Sequence, residues 1–384
     1  MTTTRETGLP DWAYSDPDFF ALERSKVFAP SWQIVCHQSD IAERGHYATL
    51  NFLGQLVSVI RGDDGKVRAF RNVCRHRAAR LLDEDFGRCS SRITCPYHAW
   101  SYDLRGRLVG APRRDAYDDF ANEDYGLWEL PLNEAGGFLF VNTQTDGETA
   151  SFDDFIAPVL ETFDIYKTEE MRALGRISLR ERAVNWKIGA ENYVDVFHLN
   201  VAHHGLTGLV GDSYSLSVEG DACVITSDIE TRAGQTLSAR AYRTFLPEAG
   251  HLPAERRWQW RYVMLWPNLA FDIYPDQIDF MQFIPLAPDR TLLREISYAL
   301  PDVRREMAAA RYLNWRINRV VNIEDRDVIE RTQAGLASAA GAPGPIARDE
   351  KGLIAFAERM RRAAPICAQK ERPTAAAIRA ARDA

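Results

Sequence analysis

The chain has 384 residues, 46% of them hydrophobic and 26% charged, which suits a soluble globular protein of about two or three domains. A formal net charge of −7 and a pI near 5.7 argue against a general binder of nucleic acid or anionic membrane. The opening M-T-T-T-R-E-T-G-L-P-D-W has no apolar core of a secretory signal, and no apolar run approaches membrane-spanning length, so a cytoplasmic enzyme is expected.

Residues 1–40 hold an aromatic segment with Trp12, Tyr14, Phe19, Phe20 and Trp32. Within it, 16–27 reads as a short amphipathic helix with Phe19, Phe20, Leu22 and Val27 as core positions. The segment is expected to be helical and packed on the catalytic part of the chain. From residue 41 short runs rich in β-branched and aromatic residues follow at 47–50, 55–61 and 67–72, separated by Gly54 and the Gly62-Asp63-Asp64-Gly65 turn. Further runs at 92–95, 101–104, 108–110 and 137–142 complete a small antiparallel β domain over 41–150. The polar, turn-rich stretch 143–151 is its expected boundary.

Residues 151–384 read as a larger α+β unit, with strands at 177–184, 223–231, 258–265, 269–273, 280–286 and 291–299. A long helix is expected over 304–337, with Met307, Tyr312, Trp315, Ile317, Val320, Ile323 and Val328 among its apolar positions. Another is expected over 353–363, and the Ala/Arg-rich tail after Pro373 is expected to be only partly ordered.

Cys74-Arg75-His76 is followed, after eighteen residues, by Cys95-Pro96-Tyr97-His98. Two Cys and two His could hold zinc. Each half, however, supplies one soft thiolate and one imidazole from a loop between expected strands. That alternation fits a Rieske [2Fe-2S] centre, where two Cys hold one iron and two His the other. Histidine ligation raises the potential, so such a cluster can accept electrons from an ordinary low-potential ferredoxin. Cys89, between the loops, reads as a free thiol, since a long unsecreted chain with six cysteines is no disulfide scaffold.

The stretch 185–204, N-W-K-I-G-A-E-N-Y-V-D-V-F-H-L-N-V-A-H-H, sets acids and histidines into an otherwise apolar segment. Glu191, Asp195 and His198 recur at i, i+4 and i+7, one face of a helix. His203 lies off that face, so the helix must bend or end if both histidines meet one atom. Two histidines beside an acid are costly to bury unless something binds them, and an iron site is the expectation.

The stretches N-V-C-R-H-R-A-A-R-L and C-P-Y-H-A-W-S-Y-D-L-R-G-R-L resemble the Rieske motif of the large (alpha) subunits of Rieske non-haem iron oxygenases. Glu191, Asn192, Asp195, His198 and His203 resemble that family's E-N-x-x-D-x-x-H-x-x-x-x-H motif. The resemblance implies an α+β chain: a small antiparallel β Rieske domain and a larger catalytic domain with a helix-covered antiparallel sheet. It implies that Cys74, His76, Cys95 and His98 hold the [2Fe-2S] cluster, and that His198 and His203 ligate a mononuclear Fe(II). Two histidines need an anionic third ligand to complete a facial triad with positions open to O2. The segment V-N-I-E-D-R-D-V-I-E-R-T-Q resembles the family's late-helix stretch and makes Asp325 that ligand. Glu324 and Asp327 are the nearest alternatives, and both otherwise read as a solvated acidic face. By the same resemblance Asp195 bridges electron transfer to the Rieske centre of a neighbouring subunit, with Glu191 and Asn192 in support. His204 lies outside the motif and reads as a helix-end residue.

No G-x-G-x-x-G at a strand-to-helix junction and no plant-type ferredoxin run is present. NAD(P)H is therefore expected to act only through a separate reductase, a ferredoxin and/or a flavin iron–sulfur protein. The resemblance implies a homotrimer, with an α3β3 hexamer as the alternative. Most of Trp258, Trp260, Tyr262, Trp266, Phe271, Tyr274, Phe280 and Phe283 are expected in the core, with a few lining the pocket. Aromatic faces suit both aromatic rings and quaternary ammonium groups. The stretch W-P-N-L-A-F-D-I-Y-P-D-Q-I-D-F-M-Q-F-I-P-L resembles the branch that oxidises betaines and N-methylated amino acids. Hydroxylation or oxidative N-demethylation of a small quaternary ammonium or N-methyl compound is thus expected, and ring hydroxylation of an aromatic acid is the alternative. A Rieske electron carrier or a zinc-stabilised binding protein would leave the 185–204 motif unexplained.

Overall fold

The computed structural model describes residues 8–144, 149–211, 214–230, 236–338 and 344–384. The chain divides into two compact units, Ala29–Phe152 and the residues up to Phe28 together with Asp153–Ala384.

The smaller unit is built from antiparallel sheets. A five-stranded sheet runs, in spatial order, Phe86–Arg88, His46–Phe52, Gln55–Arg61, Val67–Arg71 and Glu129–Leu130. Arg92–Thr94, Ser101–Asp103 and Leu108–Gly110 form a three-stranded sheet. A second three-stranded sheet places Phe138–Asn142 between Trp32–His37 and Leu132–Ala135. Trp32–His37 falls in the segment expected to be helical. All six of its side chains are buried, so it lacks the alternation that marks a half-buried strand.

The larger unit centres on an eight-stranded antiparallel sheet. Its order is Arg172–Ala173, Arg290–Ala299, Ile278–Ala287, Leu269–Ile273, Gln259–Leu265, Ala222–Asp228 and Ser215–Glu219. Ser178–Arg182 also pairs with Arg290–Ala299, setting Arg182 opposite Thr291 and Ser178 opposite Glu295. The expected strand ends at Thr231 lie outside the described residues. The helices of this unit are α1 (Pro17–Glu23), α2 (Phe152–Tyr166), α3 (Trp186–Val194), α4 (Leu199–Ala202), α5 (His204–Val210), α6 (Leu237–Phe245), α7 (Arg305–Ala337), α8 (Lys351–Ala363) and α9 (Ala375–Asp383).

Two expectations change here. In α7 the stripe Met307, Ala310, Asn314 and Ile317 is buried, whereas Tyr312, Trp315, Val320 and Ile323 are exposed. The helix lies on the surface, and only one stripe at helical spacing faces inward. The tail is ordered as α9. Thr374 caps it by accepting from the Ala377 N–H at 3.2 Å, Ile378 is buried, and Arg379 lies 3.3 Å from Asp18 of α1.

Candidate metal centres and active site

In the smaller unit two loops of the same shape face each other. The Cys74 N–H donates to the Ala79 carbonyl at 2.8 Å, and the Cys95 N–H donates to the Trp100 carbonyl at 2.8 Å. In each loop the residue four beyond the cysteine donates back to the cysteine carbonyl: Ala78 at 2.9 Å and Ala99 at 3.1 Å. Ala78 and Ala99 adopt φ values of 54° and 57°, the left-handed conformation that turns each loop back. Both cysteines are buried, while His76 and His98 sit further out. Their rings lie 4.7 Å apart, and His76 stacks on Trp100 at 4.9 Å. The buried His76 Nδ1 has no hydrogen-bond partner, as suits an atom meant for a metal. Tyr102 places its hydroxyl 3.3 Å from Cys74 Sγ and accepts from the Arg75 N–H at 3.0 Å. Cys89 is a free thiol, and all six cysteines are free.

In the larger unit α3 starts at Asn185, whose side chain accepts from the Lys187 N–H at 3.0 Å. The Asn185 N–H donates to Gln333 of α7 at 2.7 Å. From that clamp Asn192 is seven residues along α3 and Asp325 eight back along α7. These are nearly equal lengths of about 11 and 12 Å. The two residues therefore meet, and Asn192 Nδ2 donates to Asp325 Oδ1 at 2.8 Å. On the other side of α3 a fully buried Lys187 meets Glu23 of α1 at 2.5 Å, and Tyr14 donates to Glu191 at 2.6 Å. Glu191 thus holds the N-terminal segment and does not face the metal donors.

The shared helix face expected for Glu191, Asp195 and His198 is not formed. α3 ends at Val194 and Asp195 is extended, with ψ 114°. Gly352 of α8 approaches so closely that a Cβ there would lie 2.3 Å from the Val194 carbonyl oxygen. The chain then makes one helical turn, α4, with His198 before it and His203 after it. The breaks fall before His198 and at His203 itself, not within the turn between them. This brings His198 Nε2 and His203 Nε2 to 3.2 Å, with Asp325 Oδ1 at 3.0 Å from His203 Nε2 and 3.5 Å from His198 Nε2.

Among the described residues, His198, His203 and Asp325 converge as a group that could hold a metal ion. Donors bound to one cation at about 2.1 Å stand about 3.0 Å apart on an octahedral face and about 3.4 Å apart in a tetrahedron. The three separations match that scale. The charges fit too. Burial works against ionisation of Asp325, but hydrogen bonds from both histidines and Asn192 outweigh it and hold the carboxyl well below its usual range. Burial likewise opposes charge on His198, yet Asp195 and Asp325 raise it to about 9. The site favours positive charge, and two imidazoles with one carboxylate are the donor set of a non-haem Fe(II) centre.

Around this trio, Asp195 Oδ2 lies 3.5 Å from His198 Nδ1, and its Oδ1 accepts from the Phe197 N–H at 2.8 Å. Glu324 corrects the expectation of a merely solvated acid, because its Oε2 lies 2.9 Å from His203 Nδ1. Asp327 is exposed and pairs with Arg326 at 3.2 Å. His204 is exposed at the start of α5 and is not among the converging residues.

The donors open into a cavity of about 110 Å³, walled by Val184, Leu206, Ile225, Met281, Phe283 and Leu293 among others. Tyr193 and Tyr262 also line it, and the Tyr262 hydroxyl is buried without a hydrogen-bond partner. Asp272 is buried in its wall, hydrogen-bonded by Tyr193, and burial pushes its carboxyl up to about 7. Sequence reading missed Tyr193, Asp272 and the Glu324 contact. Tyr193 stands beside Asn192 in the motif, but Asp272 comes from a strand 79 residues away. Of the aromatic set, Tyr262 and Phe283 line the cavity, Trp260, Phe271, Tyr274 and Phe280 are buried, and Trp258 is exposed.

A Rieske-type cluster domain and a two-histidine, one-carboxylate centre on one chain define a Rieske non-haem iron oxygenase. Residues 168–365 match the ring hydroxylating alpha subunit (catalytic domain) family and residues 31–123 the Rieske [2Fe-2S] domain. The chain belongs to this family of oxygenase large subunits. It is 28% identical over 382 residues to the glycine betaine monooxygenase oxygenase subunit of Chromohalobacter salexigens, covering 91% of this chain and 84% of that protein. It is 30% identical over 297 residues to the 2-aminobenzenesulfonate 2,3-dioxygenase subunit alpha of an Alcaligenes species, covering 74% and 73%. A solved quaternary ammonium Rieske monooxygenase, described for carnitine oxidation and inter-subunit electron transfer, shares the fold with a TM-score of 0.80. The identity there is 24%, over 94% of this chain and 96% of that one. No described helix is long and apolar enough to cross a membrane.

Proposed function

We propose that the chain is the terminal oxygenase of a system that oxidises an N-methyl group of a small quaternary ammonium or N-methyl compound. The observation that carries this is the cavity over His198, His203 and Asp325, in which the Tyr193, Tyr262 and Phe283 rings stand together in an otherwise largely apolar wall. Ring faces attract a desolvated cation. Similarity to a glycine betaine monooxygenase over most of both chains supports the same substrate class.

His198, His203 and Asp325 would hold Fe(II), and Cys74, His76, Cys95 and His98 the [2Fe-2S] cluster. The Fe(II) centre, when bound, activates O2 with electrons relayed from the cluster. The protein's own part is to orient and exclude. Asn192 fixes the Asp325 oxygen, Glu324 fixes the His203 tautomer, and the apolar walls keep bulk water from the methyl group. The net change is one oxygen atom into a C–H bond and one into water, using two electrons and two protons. The N–CH2OH product then falls apart to formaldehyde and the demethylated amine.

The electrons come from a separate ferredoxin or flavin iron–sulfur reductase, which alone uses NAD(P)H. We further propose a homotrimer in which Asp195 carries the electron from a neighbouring subunit's cluster towards His198. Similarity to the 2-aminobenzenesulfonate dioxygenase favours a second reading, ring hydroxylation of an aromatic acid.

The test is a screen of the holoenzyme with a surrogate reductase and NADH. Formaldehyde release from glycine betaine, carnitine and choline is followed beside ring hydroxylation of aromatic acids and sulfonates. Formaldehyde from a trimethylammonium compound upholds the proposal, and ring products alone transfer it to the second reading.

A further inference from the structure

The cavity over the metal donors adjoins a second cavity of about 520 Å³, and the two share Arg182, Glu295, Asn318, Asn322 and Arg326 among their lining residues. The second cavity is the outer one, since its rim includes the exposed Trp315 and Ile323 of α7. Arg182 thus belongs to the lining of both the apolar chamber and the second cavity.

The outer cavity is lined by four arginines, Arg180, Arg182, Arg319 and Arg326, against two acids, Asp279 and Glu295. Most of these charges are accounted for. Arg180 is paired with Glu295. Arg326 meets Asp327 at 3.2 Å, and Arg319 lies over the Trp315 ring at 5.3 Å. Asp279 is buried, and burial pushes its carboxyl upward, so it supplies little negative charge. Arg182 differs. It is half-buried, its hydrogen bond goes to its own neighbour's carbonyl, Glu181, at 3.1 Å, and among the described residues no carboxylate lies within ion-pair distance. Burial and the like charges of Arg180 and Arg326 disfavour its charged form, against the smaller opposing effects of Glu330 and Glu295. Arg182 lines both cavities with no carboxylate partner among the described residues, and the planar fork of a guanidinium matches a carboxylate.

The geometry points to Arg182 as the specificity-determining residue that binds the carboxylate of the substrate where the two cavities adjoin. The substrate would then be a dipolar molecule, with its N-methyl group among Tyr193, Tyr262 and Phe283 and its carboxylate turned outward. This rests on the proposed N-methyl oxidation and narrows it: trimethylammonium acids are selected over trimethylammonium alcohols or amides. The residue comes from Ser178–Arg182, the strand on which Ser178, Arg180 and Arg182 alternate onto the cavity side while Leu179 is exposed.

The experiment compares glycine betaine and carnitine, each beside its primary amide, using the holoenzyme, a surrogate reductase and NADH. The amide keeps the size and the ammonium group but loses the negative charge. The wild type is expected to favour the acid by at least about tenfold in kcat/KM, and Arg182→Met to reduce that preference roughly 10- to 100-fold, chiefly through KM for the acid. Arg182→Lys, which keeps the charge without the fork, should retain more of the preference than Arg182→Met. An acid-to-amide ratio near one in the wild type, or the same ratio in wild type and Arg182→Met, overturns the proposal. Calorimetric binding of acid and amide to the wild type reads the same preference without a variant, which covers an Arg182→Met protein that does not fold. If no N-methyl compound releases formaldehyde, the parent reading fails. The acid-against-amide comparison, repeated on an aromatic acid that is turned over, then judges Arg182 alone: a preference lost in Arg182→Met upholds the anion site, and no preference removes it.

Discussion

His203 turns its Nδ1 to Oε2 of Glu324 at 2.9 Å, one residue before the Asp325 that meets its other nitrogen. An acid on Nδ1 keeps the proton there and leaves the Nε2 lone pair free to ligate. Glu324→Gln can still accept through its amide oxygen but loses the charge. Glu324→Leu leaves Nδ1 with no acceptor. Iron affinity should therefore fall about 10-fold in the first and about 100-fold in the second. Iron retained after dialysis against graded chelator measures this. Equal retention in wild type and both variants would reduce Glu324 to a surface acid.

Tyr102 makes the corresponding contact in the cluster domain, 3.3 Å from Cys74 Sγ. A hydrogen bond to a ligating sulfur stabilises the more negative, reduced cluster and so raises its potential. Tyr102→Phe should lower the potential by on the order of 50 mV, which is about 1 kcal/mol for one electron. Redox titration followed by the visible spectrum checks the value. An unchanged potential would mean that the hydroxyl serves only the Arg75 N–H.

What the sequence made legible was chemistry fixed by residue type and short spacing. Cys74, His76, Cys95 and His98 announce themselves because few other arrangements alternate thiolate and imidazole on two loops. His198 and His203 do so because their spacing conflicts with a continuous helix. The tertiary consequences were not legible. The helix ends before His198 against Gly352, which lies 158 residues beyond Val194 and allows α8 to approach its carbonyl. Asp272 and Arg182 reach the cavity from strands whose local pattern is that of any sheet. The strand Trp32–His37 is buried on both faces and so carries no alternation to find. The apolar positions of α7 misled for the opposite reason: Trp315 and Ile323 are hydrophobic but border an open cavity.

Glu191 gives a pH prediction well away from the metal donors. Burial raises its carboxyl from an ordinary 4.5 to about 7, against the smaller opposing effects of Tyr14 and Lys187. A carboxyl whose folded pKa is raised contributes most below its unfolded value, and that contribution is lost as pH rises through the folded value. Stability should therefore fall between about pH 4.5 and 7 and level off above, with up to about 3 kcal/mol at stake. Glu191→Gln keeps an acceptor for the Tyr14 hydroxyl but cannot ionise. Urea unfolding at several pH values should show a smaller slope in this interval for the variant, and a gain over wild type near pH 8. Parallel pH profiles for the two proteins would show that Glu191 keeps an ordinary pKa.

Asp195 stands where α3 has ended, one oxygen held by the Phe197 N–H at 2.8 Å and the other 3.5 Å from His198 Nδ1. It is not among the three converging donors. If it connects the mononuclear site to a neighbouring cluster, removing its charge should leave both metal centres filled and still block the passage between them. Asp195→Asn preserves the size and the acceptor for Phe197, so the loop should keep its shape. The expected protein carries its full iron complement and a normal visible spectrum, and its cluster is reduced by the reductase at the wild-type rate. Reoxidation of that cluster in the presence of substrate and O2 should slow roughly 100-fold. Stopped-flow absorbance separates the two steps. A variant that loses mononuclear iron would instead make Asp195 a support for His198, and one that reoxidises at the normal rate would remove it from the electron path altogether.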